Sequence, residues 1–255
     1  MRAIILAAGF GSRLMPLTQD IPKCMVIYQN KRIVDYIMEA LNEVGIQEIC
    51  IVGGYKFNVL KQHINTHYKG IQMVCNERYD STNMVATLFC AKDFLLDCIR
   101  QKQDLLVSYA DIVYFSEIVE KLKACDYDLG IVVDREWKAL WEKRFNNPLN
   151  DAETLKLSGN KIIELGKKPK DYSDIEGQYI GLFRISHRFL SEVVRYYENL
   201  DRNAMYDSKD FDNMYMTSFL QLLIESYKNG CMVELFGNWC EIDFKSDLEV
   251  DFIKD

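Results

Sequence analysis

The residues that most clearly suggest chemistry lie in a glycine-rich loop near the N-terminus. A short apolar run, Ala3–Leu6, leads into Gly9 and Gly11, and the basic residues Arg13 and Lys23 follow. A loop without Cβ atoms can point successive backbone N–H groups at an anion. The guanidinium and ammonium groups add positive charge that binds phosphate oxygens. The pattern therefore predicts a phosphate-binding loop at the end of a buried strand.

Three other interpretations of this loop are less well supported. A P-loop requires Lys-Ser/Thr after the second glycine, and none follows here. A Rossmann dinucleotide fingerprint requires a third glycine where Leu14 stands, and an acidic residue after the second strand, where Gly53 and Gly54 occur. A plain tight turn would suffice for two glycines alone, but it does not account for Arg13 and Lys23.

Two aspartates from distant parts of the chain are candidate metal ligands. Asp111 closely follows the apolar run Leu105–Ser108, where open α/β sheets place groups that contact ligands. Asp243 ends the stretch Trp239–Asp243 near the C-terminal end of the sequence. Carboxylates are ligands that Mg²⁺ uses, and this ion commonly binds substrate phosphates as well. Either aspartate alone is more often a helix cap or a surface charge, so the metal site is a hypothesis about the pair.

The string Leu6–Thr18, followed by Pro22 and Lys23, resembles the signature of the nucleotidylyltransferase family, which includes sugar-1-phosphate nucleotidylyltransferases and bacterial phosphocholine cytidylyltransferases. The resemblance implies a Rossmann-like fold of the glycosyltransferase-A type. It also implies a reaction in which a nucleoside triphosphate and a phosphorylated acceptor give a nucleotidyl product and pyrophosphate, with Mg²⁺ at Asp111 and Asp243. The implied nucleotide-binding residues are Leu6, Ala7, Ala8, Gly9, Gly11, Ser12, Arg13, Lys23, Asn83 and Ala110.

The base is suggested by Thr82 and Asn83. They resemble the Thr-Asn motif of phosphocholine and aminoethylphosphonate cytidylyltransferases, where sugar-nucleotide enzymes carry a different, glycine-containing stretch. This resemblance implies CTP as the nucleotide substrate. Asn83 before a long apolar segment is also a typical helix N-cap. One residue can start the helix and face the substrate.

Lys168 matches a lysine that, in this family, reaches the acceptor phosphate. It precedes a proline in the sequence Lys167-Lys168-Pro169, and a one-residue shift of the match to Lys167 stays open. Two phosphate-bearing substrates must approach each other in the implied reaction, and cations reduce their repulsion. The predicted catalytic residues are Arg13, Lys23 and Lys168.

The acceptor is expected to meet residues of the second half. Arg144 suits an acceptor phosphate, and Trp137 together with Trp141 suits an apolar or amine-bearing tail. A core tryptophan pair beside a solvated arginine explains these residues equally well. Glu241, from the same stretch as Asp243, is a further predicted acceptor-binding residue.

Three longer stretches narrow the resemblance. Ser108–Phe115, Asn147–Glu153 and Lys209–Tyr215 resemble cytidylyltransferases that join CTP to L-glutamine phosphate in the synthesis of capsular phosphoramidate. They imply transfer of CMP to that acceptor. The alternatives are phosphocholine or aminoethylphosphonate as acceptor, then a sugar 1-phosphate. An alternative from another class is a nucleotide-sensing module that binds without turnover.

The elements that position these residues alternate between strand and helix up to residue 133. This order predicts a mostly parallel, mixed α/β sheet flanked by helices. We expect one domain over residues 1–255, with a nucleotide-binding half at 1–133 and an acceptor-binding half at 134–255. Within it, Met84–Ile99 reads as one long helix, Asp134–Asp151 has no clear periodicity, and Glu153–Leu157 with Lys161–Leu165 reads as a hairpin.

Composition excludes several classes of protein. The 255 residues are 49% apolar and carry a net charge of −7, which argues against a nucleic-acid-binding surface. No apolar run approaches the roughly 20 residues that span a bilayer, and no signal peptide is expected. The eight cysteines contain no C-x-x-C pair, which predicts reduced thiols and a cytoplasmic protein. We expect the protein to be a monomer or a homodimer. His63 and His67 lack further metal ligands nearby, so they are predicted to be surface residues.

Overall fold

The computed structural model describes residues 1–251, and its first half alternates strands with helices as predicted. β1 leads directly into the glycine-rich loop. The elements of this half are β1 (Arg2–Ala7), β2 (Ile27–Tyr28), β3 (Lys31–Arg32), α1 (Ile33–Glu43), β4 (Ile49–Gly53), α2 (Phe57–His67), β5 (Gln72–Cys75), α3 (Met84–Cys90), α4 (Lys92–Arg100), β6 (Leu105–Tyr109), β7 (Ile112–Val113), α5 (Ser116–Ala124) and β8 (Leu129–Asp134).

The second half contributes five strands and three α-helices within the described residues. Its elements are α6 (Trp137–Arg144), β9 (Leu155–Ser158), β10 (Lys161–Leu165), β11 (Gln178–Ile185), α7 (His187–Asn199), α8 (Met216–Tyr227), β12 (Gly230–Leu235) and β13 (Cys240–Glu241). β9 and β10 pair antiparallel, as the predicted hairpin requires. None of the helices within residues 1–251 is long and apolar enough to cross a membrane.

Strands from both halves form one nine-stranded sheet. Their order is β5-β4-β1-β6-β11-β8-β12-β10-β9. β5, β4, β1 and β6 are parallel to one another, and β12 is parallel to β8. β11 runs antiparallel to both β6 and β8, and β10 antiparallel to β12. The sheet is therefore mixed and mostly parallel, as predicted, and the loops that follow β1 and β6 meet at one edge.

Apolar side chains cover both faces of the sheet. In β1, Ala3 and Ile5 belong to the cluster that contains helix α1, whereas Ile4 and Leu6 belong to the cluster that contains α3, α4, α7 and α8. Every residue of β1 is buried. A parallel strand covered on both faces gives this continuous apolar run. The strand is consequently a rigid support for the loop at its end.

Three parts of the fold differ from the sequence prediction. The single helix predicted over Met84–Ile99 is two helices, because α3 packs on β1 and β4 whereas α4 packs on α7, and the chain turns at Ala91. The segment without clear periodicity contains α6, whose buried residues extend over little more than one turn. β12 was not predicted. It begins at Gly230 and lies between β8 and β10 in the sheet.

Candidate active site

The glycine-rich loop lies at the carboxyl end of β1 and depends on Gly11. This residue has φ +67°, and a Cβ atom there would lie 2.9 Å from Cβ of Lys23 and 3.0 Å from Cγ2 of Thr18. The Thr18 hydroxyl donates a hydrogen bond of 2.8 Å to the carbonyl of Gly11. Only glycine combines a positive φ with this close approach at low cost. The loop therefore folds back onto the segment that carries Lys23.

Lys23 joins the two predicted metal ligands. Its Nζ lies 2.7 Å from Oδ2 of Asp111 and 2.6 Å from Oδ1 of Asp243. Asp111 follows β6, and Asp243 follows β13, which pairs antiparallel with β7. The N–H of Ile242 also donates to the Asp111 carbonyl at 2.9 Å. This small second sheet brings together two carboxylates that are far apart in the sequence, and Arg13 binds Asp243 from the glycine-rich loop.

The charges in this cluster favour their ionised forms. Burial alone would lower the pKa of Lys23, but the nearby Asp111, Asp243 and Glu241 outweigh it and raise that pKa above its usual range. Burial alone would raise the pKa of Asp243, but Lys23 and Arg13 outweigh it and lower that pKa. Both ionised forms are thus maintained at neutral pH.

Asp111 also has a feature that suits a metal ligand. Its Oδ1 atom is buried and has no hydrogen-bond partner among residues 1–251. Two carboxylates within hydrogen-bond distance of one ammonium nitrogen lie close enough to share one divalent ion. The part of the chain that the structure describes contains no group of three or more Asp, Glu, His or Cys arranged for a metal. An ion here would need phosphate or water oxygens as its other ligands, which Mg²⁺ commonly takes.

A first cleft, of about 610 Å³, opens beside Lys23 and Asp111. Most of the predicted nucleotide-binding residues line it: Leu6, Ala7, Ala8, Gly9, Lys23, Asn83 and Ala110. Gly11, Ser12 and Arg13 are not part of its lining and lie on the adjacent, more exposed loop. Thr82 and Asp111, which the sequence also singled out, line it too. Sequence analysis missed five lining residues: Cys24, Tyr79, Met84, Thr87 and Tyr109. The cleft thus places apolar walls next to Lys23 and Asp111, as a nucleoside with a phosphate tail requires.

Asn83 occupies the junction between this cleft and a second one. Its Oδ1 accepts a 2.8 Å hydrogen bond from the N–H of Met84 at the start of α3. Its own N–H donates to the carbonyl of Asp212 at 2.9 Å, which ties it to the second half of the chain. Asn83 lines both clefts. The predicted N-cap role is confirmed, and the same residue faces the ligand space.

The second cleft, of about 830 Å³, is lined by Arg13 of the glycine-rich loop and mostly by residues of the second half of the chain, among them Asp243. Glu241 lines it, as do Asp151, Glu153 and Tyr179. Burial, together with the negative charges of Asp151 and Asp207, raises the pKa of Glu153 to about 7, although Lys168 opposes this. This cleft meets the first at Asn83, Met84 and Tyr109. The two clefts therefore form one continuous space.

Arg144 and Trp137 lie behind the wall of the second cleft. The Arg144 side chain is 1% exposed, and its guanidinium donates to Glu241 at 2.9 Å and to Asp247 at 3.2 Å. The alternative of a solvated arginine is therefore wrong. Trp137 is buried and packs on Trp141, with ring centroids 5.8 Å apart. Trp141 lines the cleft, whereas neither Arg144 nor Trp137 does.

Asp247 is a residue of this site that sequence analysis missed. Its Oδ2 accepts the backbone N–H groups of Asp243 and Phe244, each at 2.8 Å, while Arg144 binds the same carboxylate from behind. The Asp247 side chain is 1% exposed. The only signal in the sequence is an aspartate four residues after Asp243. The geometry shows that Asp247 holds the backbone on which Asp243 is presented.

Lys168 lies at a shallow depression that continues the second cleft. Its Nζ donates to the carbonyls of Leu149 and Asn150, at 2.6 and 2.7 Å. Lys167 instead pairs with Glu164 at 3.1 Å. The depression shares Asp151, Glu153 and Tyr215 with the second cleft. Both lysines line it, so the structure leaves the choice between them open.

His63 and His67 contact each other, and one of them pairs with an acidic residue of a neighbouring helix. His63 binds Asp35 through Nε2 at 2.7 Å, and its ring lies 4.4 Å from that of His67. Both histidines are on α2, outside the two clefts. His63 is mostly buried rather than a surface residue, because Asp35 of α1 pairs with it.

A cleft beside a lysine and two carboxylates, with a second cleft next to it, suits an enzyme that transfers a nucleotidyl group between two substrates. This chain belongs to the nucleotidyl transferase family, whose pattern matches residues 2–205. It is 62% identical to the CTP:phosphoglutamine cytidylyltransferase of Campylobacter jejuni subsp. jejuni serotype O:2, over 100% of both chains. It is 39% identical to the choline-phosphate cytidylyltransferase of Streptococcus pneumoniae over 98 residues, which are 37% of this chain and 41% of that protein.

Solved structures share the fold at low sequence identity. The CTP:phosphocholine cytidylyltransferase from Streptococcus pneumoniae superposes with a TM-score of 0.70 and 22% identity, over 97% of this chain and 96% of that one. The inositol-1-phosphate CTP transferase from T. maritima superposes with a TM-score of 0.73 and 18% identity, over 96% and 90%. The predicted nucleotidyltransferase fold is confirmed.

Proposed function

We propose that this enzyme transfers CMP from CTP to L-glutamine phosphate and releases pyrophosphate. The observation that carries the proposal is the 62% identity to the CTP:phosphoglutamine cytidylyltransferase, which extends over the whole of both chains. The two adjoining clefts, which meet at Asn83, supply a place for each substrate. The phosphate of this acceptor is attached to an amide nitrogen. The product therefore contains a phosphoanhydride (P–O–P) linkage whose second phosphorus also carries a P–N bond.

The proposed reaction is an in-line attack by an acceptor phosphate oxygen on the α-phosphorus of CTP. An O–P bond forms, the bond to the β-phosphate oxygen breaks, and pyrophosphate leaves with the electron pair. Arg13 and Lys23 steady the triphosphate, and Lys168 reduces the repulsion from the acceptor phosphate. An acceptor phosphate is nucleophilic at neutral pH, so no general base is needed. Catalysis then consists of positioning and charge stabilisation.

We propose that Asp111 and Asp243 hold Mg²⁺. When bound, this ion neutralises charge on the phosphates and helps to fix their geometry. The buried, unpartnered Oδ1 of Asp111 and the oxygen-only donor set support this assignment. The position between the two carboxylates is taken by the Lys23 ammonium. Lys23 is then released to bind triphosphate oxygens.

We also propose that residues 1–133 chiefly serve the nucleotide and residues 134–255 the acceptor. The first cleft is lined by residues up to Asp111, whereas the second takes most of its lining from Trp141 onwards. A role in capsular phosphoramidate synthesis follows from the proposed acceptor. The eight thiols are all free in the structure, which supports a reducing, cytoplasmic location, and a monomer or homodimer is the expected state.

The experiment that tests the proposed function is a matrix of nucleotides and acceptors. CTP, UTP, GTP, ATP and dTTP are each incubated with Mg²⁺ and L-glutamine phosphate, phosphocholine, aminoethylphosphonate or glucose 1-phosphate. Pyrophosphate release and the mass of the product are measured. We expect the highest kcat/KM for CTP with L-glutamine phosphate. Preference for a sugar 1-phosphate would contradict the proposal, and CTP binding without any product would indicate a sensing module.

A further inference from the structure

Glu153 is a charged residue of the second cleft that the proposed reaction does not use. Its carboxylate has neither a hydrogen bond nor an ion pair with any residue in the described range 1–251, although it lies in the cleft wall. Its backbone is held in place, because Gln178 accepts from its N–H at 3.0 Å and donates to its carbonyl at 2.5 Å. A carboxylate fixed in a cleft without a partner is positioned for a group that a ligand brings.

Two neighbours of Glu153 extend this polar patch. The Tyr179 hydroxyl is buried in the same cleft, and its ring lies beside that of Tyr109, with the two centroids 5.7 Å apart. The Asp151 carboxylate is oriented by the indole N–H of Trp141 at 3.0 Å. Burial raises the pKa of Asp151 as well, so negative charge is costly at this point of the cleft. A cation from the ligand would lower that cost.

The kind of cation follows from what the cleft offers. A quaternary ammonium has no N–H groups and is typically bound against exposed aromatic faces. The tryptophans that line the cleft, Trp141 and Trp239, are only 4% and 2% exposed. Their indole N–H groups are occupied by Asp151 and by Asp134, the latter at 2.8 Å. The carboxylates of Glu153 and Asp151 in the cleft lining offer oxygen acceptors, which suit an ammonium that carries N–H donors.

We propose that Glu153, supported by Asp151 and Tyr179, binds the protonated amino group of the acceptor and selects phosphorylated amino acids over acceptors without N–H donors. The inference rests on the proposed function for the identity of the acceptor. It adds the residues that read its amino-acid end. Arg13, Lys23, Asp111 and Asp243 take no part in this contact, so acceptor selection is separable from nucleotide binding.

The test is a binding experiment that needs no turnover. Calorimetry with Mg²⁺ and a non-reactive α,β-methylene analogue of CTP gives the Kd of L-glutamine phosphate and of the same compound without its α-amino group. At about pH 8, where Glu153 is ionised, we expect the wild type to bind the amino-bearing compound about ten- to a hundredfold more tightly. Glu153→Gln removes most of this preference and changes the Kd of the analogue little. Equal affinities in the wild type, or an undiminished preference in Glu153→Gln, would overturn the inference.

Glu234→Gln is a matched control, because Glu234 is an exposed carboxylate of β12 outside both clefts. It should keep the wild-type preference. If Glu153→Gln does not fold, the Kd values of phosphocholine and L-glutamine phosphate for the wild type are compared instead. Phosphocholine, which has no N–H donor, should bind more weakly. Equal or tighter binding of phosphocholine overturns the inference. Tight binding of L-glutamine phosphate without CMP transfer would contradict only the proposed function. CMP transfer with equal affinity for both compounds would contradict only this inference.

Discussion

At the scale of single residues, one ammonium group organises the candidate reaction centre. Lys23 contacts Asp111 and Asp243 at the position where a divalent ion would bind both. The sequence analysis paired these aspartates through a family resemblance, and their convergence at one nitrogen was not visible in the spacing. Lys23 was assigned to the triphosphate. The structure adds that it balances the charges of the two carboxylates.

Replacing Asp111 by asparagine tests this arrangement. Asp111→Asn keeps the shape of the side chain and leaves Lys23 paired with Asp243, so we expect the fold to survive. The loss of one anionic ligand should lower kcat by about 10²–10³-fold. Steady-state pyrophosphate release measures the effect, and circular dichroism verifies the fold. Asp126→Asn, at a side chain that is 93% exposed, is the control and should keep full activity. Near-normal turnover in Asp111→Asn would remove Asp111 from the metal site.

Glu153 makes the stability of the protein depend on pH. Burial raises its pKa from 4.5 to about 7. Between these values the native state keeps a proton that the unfolded state has lost. The free energy of unfolding therefore falls as the pH rises through this range, by up to about 3 kcal/mol, and levels off above it. Urea titrations should show a shallower fall in Glu153→Gln, with a remainder from Glu241, whose pKa burial also raises to about 7. Identical pH profiles would contradict the assignment.

At the scale of elements, short and irregular pieces position the site more than the large helices do. Asp243 reaches Asp111 because β13 pairs with β7, and each of these strands has only two residues. The periodicity of so short a strand cannot be recognised in a sequence. The same holds for α6, which buries Trp137, Leu140 and Trp141 in little more than one turn. Most of the longer elements were predicted, because their apolar pattern repeats often enough, although α3 and α4 were joined into one helix and β12 was missed.

Asp247 is expected to act as a positioning residue for Asp243. Asp247→Asn keeps one acceptor but weakens the support of two backbone N–H groups and of Arg144, so it should lower the free energy of unfolding by about 2–3 kcal/mol. The Mg²⁺ concentration for half-maximal activity should rise more than the KM for the acceptor. Titrations of both ligands in the variant measure this contrast.

A merely structural role for Asp247 would give a different pattern. The variant would then lose stability, and both apparent affinities would be unchanged below its melting temperature. Asp201→Asn, at an exposed loop residue that caps its own turn, is a comparison with no expected effect on Mg²⁺ dependence. Equal changes for metal and acceptor would also contradict the positioning role.

At the scale of the whole molecule, one sheet carries two adjoining clefts. β1 and β6 present the glycine-rich loop and Asp111, while strands and loops of the second half form most of the lining of the second cleft. The sequence predicted the mixed sheet because strands and helices alternate. It did not predict which acceptor residues face the cleft. Arg144 is buried in ion pairs with Glu241 and Asp247, whereas Glu153 lines the cleft without an ion pair. Tertiary packing decides which charged side chains pair within the protein, and the sequence does not show it.

The central claim is that the loop at the end of β1 grips a triphosphate while Asp111 and Asp243 share a divalent ion with it. A crystal structure with CTP and Mn²⁺, whose anomalous scattering locates the ion, tests it most directly. We predict density for the ion between the two carboxylates, triphosphate oxygens against residues 9–13, and Lys23 moved onto the phosphates. An ion elsewhere, or a nucleotide outside the first cleft, would contradict the account.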